Sequence, residues 1–535
     1  MQRNFADLQN GPFDMLIIGG GIYGSWTACH AARSGLKVAL IEKDDWGSAT
    51  SQSSSKLLHG GLRYLETYEF GLVRKSLHER RELNRLVPHL VRPLRFLLPV
   101  YRDSRVGRWK LKAGLWMYDR LAGSGQPVGP HQSFSAQQIV QTEPALAADQ
   151  LVGGFSYGDC GTDDARLTLE VVATAIEAGA VACNDVTAQS LLTEGDKVTG
   201  AVVRDNSTGA EVEVSAKVVV NAAGPWVFRQ FGLEQNTDDV RLTKGVHLVM
   251  PALHSDHAVL LTSKQDGRVF FLIPWYGRTL LGTTDTDFKD DPASVRVEPD
   301  DISYLLAAAN SYLKTPWTTD DIIAAFAGLR TLQNEAGKSA SKVSREWAVE
   351  ETKRGLFTSV GGKYTSARVD AGGILEAVMP RIGRQWDGLK DAAPTVWSPP
   401  QPFAKWLSDT IAKATSAGID AATAQQCARR YGSRMADLIS LVQATPDLAK
   451  RIAEDVPFCR AEIVLSARDE MPRSLDDLLR RRVPIMLLAR LTDGIVSDAA
   501  SLAAEPLEWD AAEQQRQTAD VLKAAESWKP AGWSA

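Results

Sequence analysis

The sequence predicts a mixed α/β and α+β protein, with a Rossmann-type dinucleotide-binding unit at the N-terminus, a strand-rich middle and a helical C-terminal region. Three observations carry that expectation. A strand, a glycine turn, a helix and a second strand follow one another over residues 13–41. Further strand-like runs recur between residues 241 and 284, and residues 404–535 are rich in Ala, Leu, Arg and Asp at helical spacing.

The N-terminal unit is read element by element. Residues 13–18 (FDMLII) form a short apolar run of the kind found in buried strands, and a glycine turn follows at 19–22. Residues 23–34 are small and Ala-rich, which predicts a helix stopped by Gly35. Residues 36–41 (LKVALI) are a second apolar strand ending at Glu42. A span of about thirty residues suits a right-handed parallel crossover.

Gly19-Gly20-Gly21-Ile22-Tyr23-Gly24 fits GxGxxG in that setting. Gly19 permits a tight turn, Gly21 lets backbone approach a pyrophosphate, and Gly24 allows close helix–strand packing. The helix N-terminus offers N–H groups and a positive dipole end to phosphates. Glu42 is placed to accept hydrogen bonds from an unphosphorylated ribose, so the dinucleotide is FAD or NAD rather than NADP. A second glycine-bearing strand end, Asn221-Ala222-Ala223-Gly224-Pro225-Trp226, favours an extended, buried FAD.

Residues 48–55 (SATSQSSS) are a polar loop, and residues 69–90 and 159–180 read as helices. Residues 181–192, 198–205 and 211–220 alternate like strands, as do VHLVM, RVFFLIP and TLLGTT further on. A Pro- and Trp-containing stretch, 395–403 (TVWSPPQPF), separates this body from the helical tail.

At 535 residues the chain suits two or three domains. Apolar residues at 44% and charged residues at 23% are the balance of a globular protein with substantial cores. A net charge of −5 excludes a generally basic, nucleic-acid-coating protein. Residues 1–12 are polar and lack a signal-peptide core, and nothing approaches the ~20 apolar residues that span a bilayer. Monotopic attachment stays open. The five cysteines form no CxxC pair and fit no zinc pattern, so reduced thiols and no metal site are expected.

The most specific stretch is ATSQSSSKLLHGGLRYLE at 49–66, followed by Tyr68-Glu69-Phe70. With it go Asp163-Asp164-Ala165-Arg166-Leu167, NAAGPW, Lys244-Gly245-Val246-His247, Gly282-Thr283-Thr284-Asp285, Gly361-Gly362-Lys363, Glu470-Met471 and Arg481-Arg482. Through these the chain resembles the FAD-dependent glycerol-3-phosphate dehydrogenase family, in the D-amino-acid-oxidase-like group of flavoproteins. The resemblance implies an FAD-binding domain from segments 13–75, 160–235 and 355–380. It implies an antiparallel-sheet substrate domain from 76–159 and 236–354, and a helical C-terminal domain at 400–535. The implied reaction is oxidation of sn-glycerol 3-phosphate to dihydroxyacetone phosphate, with electrons passing through FAD to membrane quinone or, in oxidase relatives, to oxygen. The implied location is cytoplasmic, attached peripherally to the inner face of the membrane, with a homodimer possible.

Such a reaction must hold a phosphate dianion, remove an alcohol proton and present a C–H bond to the flavin. Arginine suits the phosphate because its fork donates charge-assisted pairs of hydrogen bonds. Arg330 and Arg345 match family pocket positions, and Arg63, Tyr64 and Lys363 are further substrate candidates. His247 is the first choice for proton acceptor, kept neutral by a flanking cation such as Lys244, with His59 as competitor. Asp285 orients His247 or a substrate hydroxyl, and Arg330 is an alternative electrostatic aid to deprotonation.

The expected cofactor contacts are Gly19, Gly21, Gly24, Glu42, Thr50, Ser51, Ser55, Lys56, Leu58, Gly224, Gly361, Gly362, Lys363 and Thr365. Gly361-Gly362-Lys363 is expected to open a helix whose positive end faces the flavin. The basic, Trp-bearing stretch 105–121 reads as a helix able to lie in a membrane interface. Some positions depart from the family pattern: Thr331 stands where Pro is common, Gly161-Thr162 replaces an aromatic, and Trp275-Tyr276-Gly277 varies. These lie near the presumed pocket, so a four-carbon polyol phosphate such as erythritol phosphate is an alternative substrate. The same motifs leave open an oxygen-using oxidase and a non-catalytic flavin-binding regulator.

Overall fold

The computed structural model describes residues 1–233, 239–334, 346–389 and 392–529. Two sheets and a helical region organise them. The first sheet runs Trp347–Lys353, Leu356–Gly361, Glu211–Asn221, Phe13–Ile18, Val38–Ile41, Val181–Cys183. The strands from Leu356–Gly361 to Val181–Cys183 are mutually parallel. Phe13–Ile18 and Val38–Ile41 are buried almost throughout, which is why they read as unbroken apolar runs rather than alternating ones. The hairpin Val186–Glu194 and Lys197–Asp205 extends the sheet by pairing with the outer half of Glu211–Asn221.

Helix Ile22–Arg33 packs between helices Asp164–Glu177 and Ala367–Val378. It is buried from Gly24 to Ala32, so it needs small side chains all round rather than one apolar stripe. The Ala-rich sequence therefore reflects a three-helix layer, a context that no local pattern announces.

The second sheet has the order Thr286–Phe288, Val240–Pro251, Arg278–Gly282, Val269–Trp275, Ala258–Thr262, Arg92–Tyr101, Leu151–Gly161, Leu57–Leu58. Ala324–Gln333 also pairs with Val240–Pro251, and Gln132–Phe134 with Leu151–Gly161. Its pairings are antiparallel except that between Ala258–Thr262 and Arg92–Tyr101, which is parallel.

Several element boundaries correct the sequence expectations. Residues 159–161 are not helical: they end the strand Leu151–Gly161, paired to Leu94, Pro93 and Arg92. The helix begins after Asp163, whose carboxylate caps it by accepting from the Arg166 N–H at 3.1 Å. The helix expected over 69–90 is Phe70–Leu86, because Val87 precedes Pro88 and is pushed out of helical backbone. The strand expected over 181–192 breaks at Asn184-Asp185, where Asp185 takes a φ of 57°. The expected domain boundaries also cut elements. The 75/76 limit crosses helix Phe70–Leu86, and 354/355 separates the two strands of one hairpin in the first sheet.

The C-terminal region contains helices Phe403–Ser416, Ala421–Tyr431, Met435–Ala444, Arg460–Asp469, Asp493–Leu507 and Ala511–Glu526, as the composition predicts. It does not stand apart. Phe458, Leu475, Leu478 and Val483 share one buried apolar cluster with Trp275, Leu280 and Phe326 of the second sheet. Each such buried side chain stabilises by about 1.5–3 kcal/mol relative to exposure. All five cysteines are buried free thiols.

Candidate active site

A cavity of about 500 Å³ opens where the parallel strands of the first sheet end, and it continues beneath the second sheet. Ligand sites in such sheets form at this position because adjacent strands feed their loops to opposite sides. Gly19 has a φ of +112°, and a Cβ there would lie 2.5 Å from the Ala222 carbonyl oxygen. A Cβ on Gly24 would lie 1.9 Å from the Gly19 carbonyl, so the first and third glycines let helix, turn and neighbouring strand close together. Gly21 faces the cavity, its missing side chain bordered by the Ser51 hydroxyl at 3.2 Å. Ser51 in turn accepts from the Ile22 N–H at 2.9 Å.

Glu42 closes the other end of this turn, accepting from the Gly20 N–H at 2.7 Å and the Asp44 N–H at 2.9 Å. Burial pushes its carboxyl up to about 7, against the pull of those two N–H groups. Gly361 and Gly362 carry φ values of 80° and 93°, and lead through the turn Tyr364–Ser366 into helix Ala367–Val378. A Cβ on Gly362 would meet the Tyr23 hydroxyl at 1.8 Å. That hydroxyl donates to Asp370 at 2.7 Å and accepts from the Lys363 N–H at 3.0 Å.

Among the expected cofactor contacts, Gly19, Gly21, Glu42, Thr50, Ser51, Ser55, Gly224, Gly361, Gly362, Lys363 and Thr365 line this one cavity. Gly24 lies behind it in the packing role its spacing suggested. Lys56 and Leu58 do not line it. Lys56, at φ 58°, turns inward so that its ammonium meets the Asp164 carboxylate at 2.5 Å and the Gln52 carbonyl at 2.6 Å. Leu58 is fully buried beside Cys160, and Leu57, one residue out of phase, faces the cavity instead. The side-chain alternation of a strand decides that exchange.

His247 and Arg330 lie on the second sheet's wall of the same cavity. His247 is buried, stacks on Phe326 with ring centroids 5.0 Å apart, and holds the Ser55 hydroxyl to Nε2 at 2.9 Å. Its Nδ1 is buried without a hydrogen-bond partner among the described residues. Burial first, then the charges of Arg330 and Lys56, push its pKa down to about 3. Lys244 takes no part in this. Being an odd number of residues from His247, it emerges on the opposite face, where its ammonium pairs with Glu298 at 2.6 Å and Asp301 at 2.7 Å.

The Arg330 guanidinium donates to Asp285 at 3.3 Å, to the Thr283 hydroxyl at 3.1 Å and to the Thr284 carbonyl at 3.3 Å. Asp285 therefore braces Arg330, while the His247 ring is held by Ser55. Two glycines make room here. A Cβ on Gly245 would fall 2.3 Å from Arg330, and one on Gly282 would fall 2.2 Å from His247. Both segments carry sequence motifs, yet no local pattern marks those glycines, because the clash depends on cross-strand register.

Tyr64 and Lys363 line the cavity, with the ammonium 4.6 Å from the phenol ring centroid and 3.1 Å from the Ser76 hydroxyl. Arg63 sits against Tyr64 at 5.7 Å and does not reach the cavity wall. Arg345 lies outside the described residues. His59 lines the cavity and donates its backbone N–H to the Thr365 hydroxyl at 3.2 Å. Its pKa is also pushed down to about 3, by burial and then by Lys363, Arg63 and Arg80. Thr331, where the sequence departs from the family pattern, lines the cavity too. Val186–Ala188 and Trp226 line the Glu42 end, and no sequence signal marked Val186.

These residues fit FAD on their own chemistry. Gly21 leaves a backbone cradle at a helix N-terminus, Glu42 supplies a buried acceptor, and the far end collects a histidine, an arginine and a lysine. Bound there, FAD would supply the hydride-accepting chemistry that no side chain offers.

Comparisons with known proteins agree. The family model described as FAD dependent oxidoreductase matches residues 14–368, and the C-terminal domain of alpha-glycerophosphate oxidase matches residues 401–514. Glycerol-3-phosphate dehydrogenase 2 of Mycobacterium tuberculosis is 36% identical over 526 residues, covering 96% of this chain and 88% of that protein. Aerobic glycerol-3-phosphate dehydrogenase of Staphylococcus aureus is 35% identical over 491 residues, covering 89% and 87%. The structure of glycerol-3-phosphate dehydrogenase from Bacillus halodurans complexed with FAD matches with a TM-score of 0.79 at 27% identity, covering 99% of this chain and 98% of that one. Glycine oxidase from Geobacillus kaustophilus, at 21% identity and a TM-score of 0.52, covering 72% of this chain and 98% of its own, shares the fold.

Proposed function

Because the chain belongs to the FAD-dependent glycerol-3-phosphate dehydrogenase family, we propose that it oxidises the C2 alcohol of sn-glycerol 3-phosphate to dihydroxyacetone phosphate. The observation that carries this reading is the meeting of His247 and Arg330 in the cavity that the glycine turn opens.

The alcohol loses two hydrogens, one as hydride from C2 and one as a proton from the hydroxyl. Bound FAD supplies the hydride acceptor. The proton reaches His247 Nε2 through the Ser55 hydroxyl, which lines the cavity and is hydrogen-bonded to that nitrogen at 2.9 Å: Ser55 gives its own proton to Nε2 as it takes the alcohol's. Arg330 and Lys363 receive the phosphate. A neutral His247 is ready to accept, but burial first and then the charges of Arg330 and Lys56 make it a weak base. A phosphate dianion beside Arg330 offsets that charge and raises the basicity of the imidazole. The packed second sheet keeps bulk water from the imidazole.

Anaerobic titration of the purified yellow protein with glycerol 3-phosphate, erythritol phosphates and glycerol tests the proposal. Bleaching by glycerol 3-phosphate at the lowest concentration is expected. Bleaching by glycerol but not by its phosphate would defeat the phosphate-pocket argument, and preference for the four-carbon phosphate would reassign the substrate.

A specific observation favours membrane quinone over oxygen as acceptor. Helix Arg108–Ala122 buries Leu115 and Tyr118 but leaves Trp109 84%, Trp116 58% and Met117 36% exposed. Trp109 and Trp116 are two turns apart on one face, with Lys112 and Arg120 beside their rings at 5.9 and 5.6 Å. Tyr68, 78% exposed, lies on the adjoining segment that Glu66 ties to Arg105 at 2.9 Å. Aromatics with basic neighbours suit the headgroup depth of a bilayer. No described helix is long and apolar enough to cross one. Oxygen uptake equal to quinone reduction would overturn the acceptor assignment.

A further inference from the structure

Beyond the cavity wall, the helical C-terminal region reaches the loop that faces the cofactor. That loop contributes Gly47, Ser48, Ala49, Thr50 and Ser51 to the cavity. Trp46 anchors its start in a buried apolar cluster, but the rest is polar and has only a short 3₁₀ turn, Thr50–Gln52, to define its shape. Polar contacts fix that remainder.

Two grips come from one unusual element. Residues Leu478–Arg482 form a π-turn, a geometry that costs helix stability and recurs at functional places. It aims consecutive arginines at the loop. Arg481 and Arg482 both pair with the Asp45 carboxylate, and Arg482 reaches its second oxygen at 2.8 Å. Arg480 and Arg481 also donate to the Gln52 side-chain carbonyl at 3.3 and 3.2 Å. Gln52 passes this on, its amide donating to the Ser48 carbonyl within the loop.

A third grip is indirect. Glu470, fully buried, pairs with Arg166 and with Arg434, each at 2.6 Å. Arg166 sits two residues beyond Asp164, whose carboxylate accepts from the Ser54 N–H at 3.1 Å and hydroxyl at 2.6 Å. The loop is thus held near both ends and at its turn, by a buried ion pair at Asp45 and by charge-assisted hydrogen bonds at Gln52 and Ser54.

We propose that the Leu478–Arg482 π-turn is a clamp that fixes the cofactor-facing loop 45–54, so that the C-terminal helical region governs how tightly FAD is held. Arg481 and Arg482 are positioning residues, since neither lines the cavity. The inference concerns the cofactor loop and does not depend on which alcohol is oxidised. An apolar interface would bury the same region, but only directional pairs set the loop's backbone against a ligand.

The test is FAD release from the holoprotein on dilution, followed by the rise of free-flavin fluorescence. Visible circular dichroism of the bound flavin and the melting temperature are recorded alongside. Arg481→Gln keeps Arg482 on Asp45 and is expected to speed release by about tenfold or more, and Gln52→Ala by about threefold. The double variant should speed FAD release by less than the product of the two single effects, because both remove the Arg481–Gln52 bond while only Gln52→Ala also removes the bonds to Arg480 and Ser48. Altered flavin dichroism should accompany the faster release. Unchanged release and dichroism with a lowered melting temperature would mean that the arginines only stabilise the fold, and the clamp would be rejected. Effects that multiply in the double variant would reject it as well. Should Arg481→Gln not fold, Gln52→Ala decides alone: it alters a half-buried neutral side chain, and an unchanged release rate overturns the proposal.

Discussion

Gly282 and His247 face one another across an antiparallel ladder, and a Cβ on Gly282 would lie 2.2 Å from His247 Cδ2. The imidazole therefore occupies the space that a side chain on the neighbouring strand would need. Gly282 has no left-handed backbone to justify it, so the ring alone excludes larger residues. Gly282→Ala is expected to retain FAD and to slow anaerobic flavin reduction by roughly tenfold, by tilting the ring from Ser55 and Phe326. Stopped-flow bleaching of the flavin absorbance measures it; an unchanged rate would remove His247 from the reaction.

His247→Ala should likewise stay yellow, with bleaching slowed at least about tenfold, or about 1.4 kcal/mol of barrier. The pH profile gives a second check. With its pKa pushed down to about 3, His247 is neutral well above that pH in the free protein. The free protein's profile should therefore carry no His247 inflection near the ordinary histidine value of 6.5. A break there that vanishes in the alanine variant would refute the burial argument.

Arg330→Lys keeps a charge but loses the fork that meets Asp285 and Thr283 together. The half-saturating concentration of glycerol 3-phosphate should rise by about tenfold, with FAD content unchanged. Equal affinity in both proteins would show that the phosphate binds elsewhere.

Glu42 gives a linkage prediction. Its folded pKa, raised to about 7 by burial, lies above its unfolded value of 4.5. Its contribution to apoprotein stability is therefore fully present below pH 4.5 and is lost as pH rises through 7. Glu42→Gln has no such titration. Urea unfolding of the two apoproteins should show wild type losing up to about 3 kcal/mol relative to the variant between those limits. Parallel pH curves would show that Glu42 ionises normally.

Replacing Trp109 and Trp116 together by Ser should reduce cosedimentation with anionic phospholipid vesicles by several-fold while leaving dye-linked turnover in solution intact. Full vesicle binding by that variant would discard the helix as a membrane contact.

The Rossmann-type unit was legible because its signals are local. Apolar runs, the spacing of Gly19, Gly21 and Gly24, and Glu42 all lie within one crossover, and each constrains backbone directly. The polar loop, Gly224 and Gly361-Gly362 were legible as a set, since glycines where chain must approach a ligand leave a mark in sequence. What failed was parity and partnership. Lys56, Leu58 and Lys244 have suitable chemistry, but alternation along a strand or an inward turn sends each away from the cavity.

By itself, then, the sequence determined the fold class, the dinucleotide cradle and the residue types available for oxidising an alcohol phosphate. Only the tertiary structure decided which of them meet. Asp285 braces Arg330, Ser55 holds His247, and Arg481 with Arg482 reaches Asp45 from more than four hundred residues away. The physical reason is range. Backbone geometry is fixed by neighbours in sequence, whereas a buried charge or imidazole is fixed by whatever distant group the packed chain brings within hydrogen-bond reach.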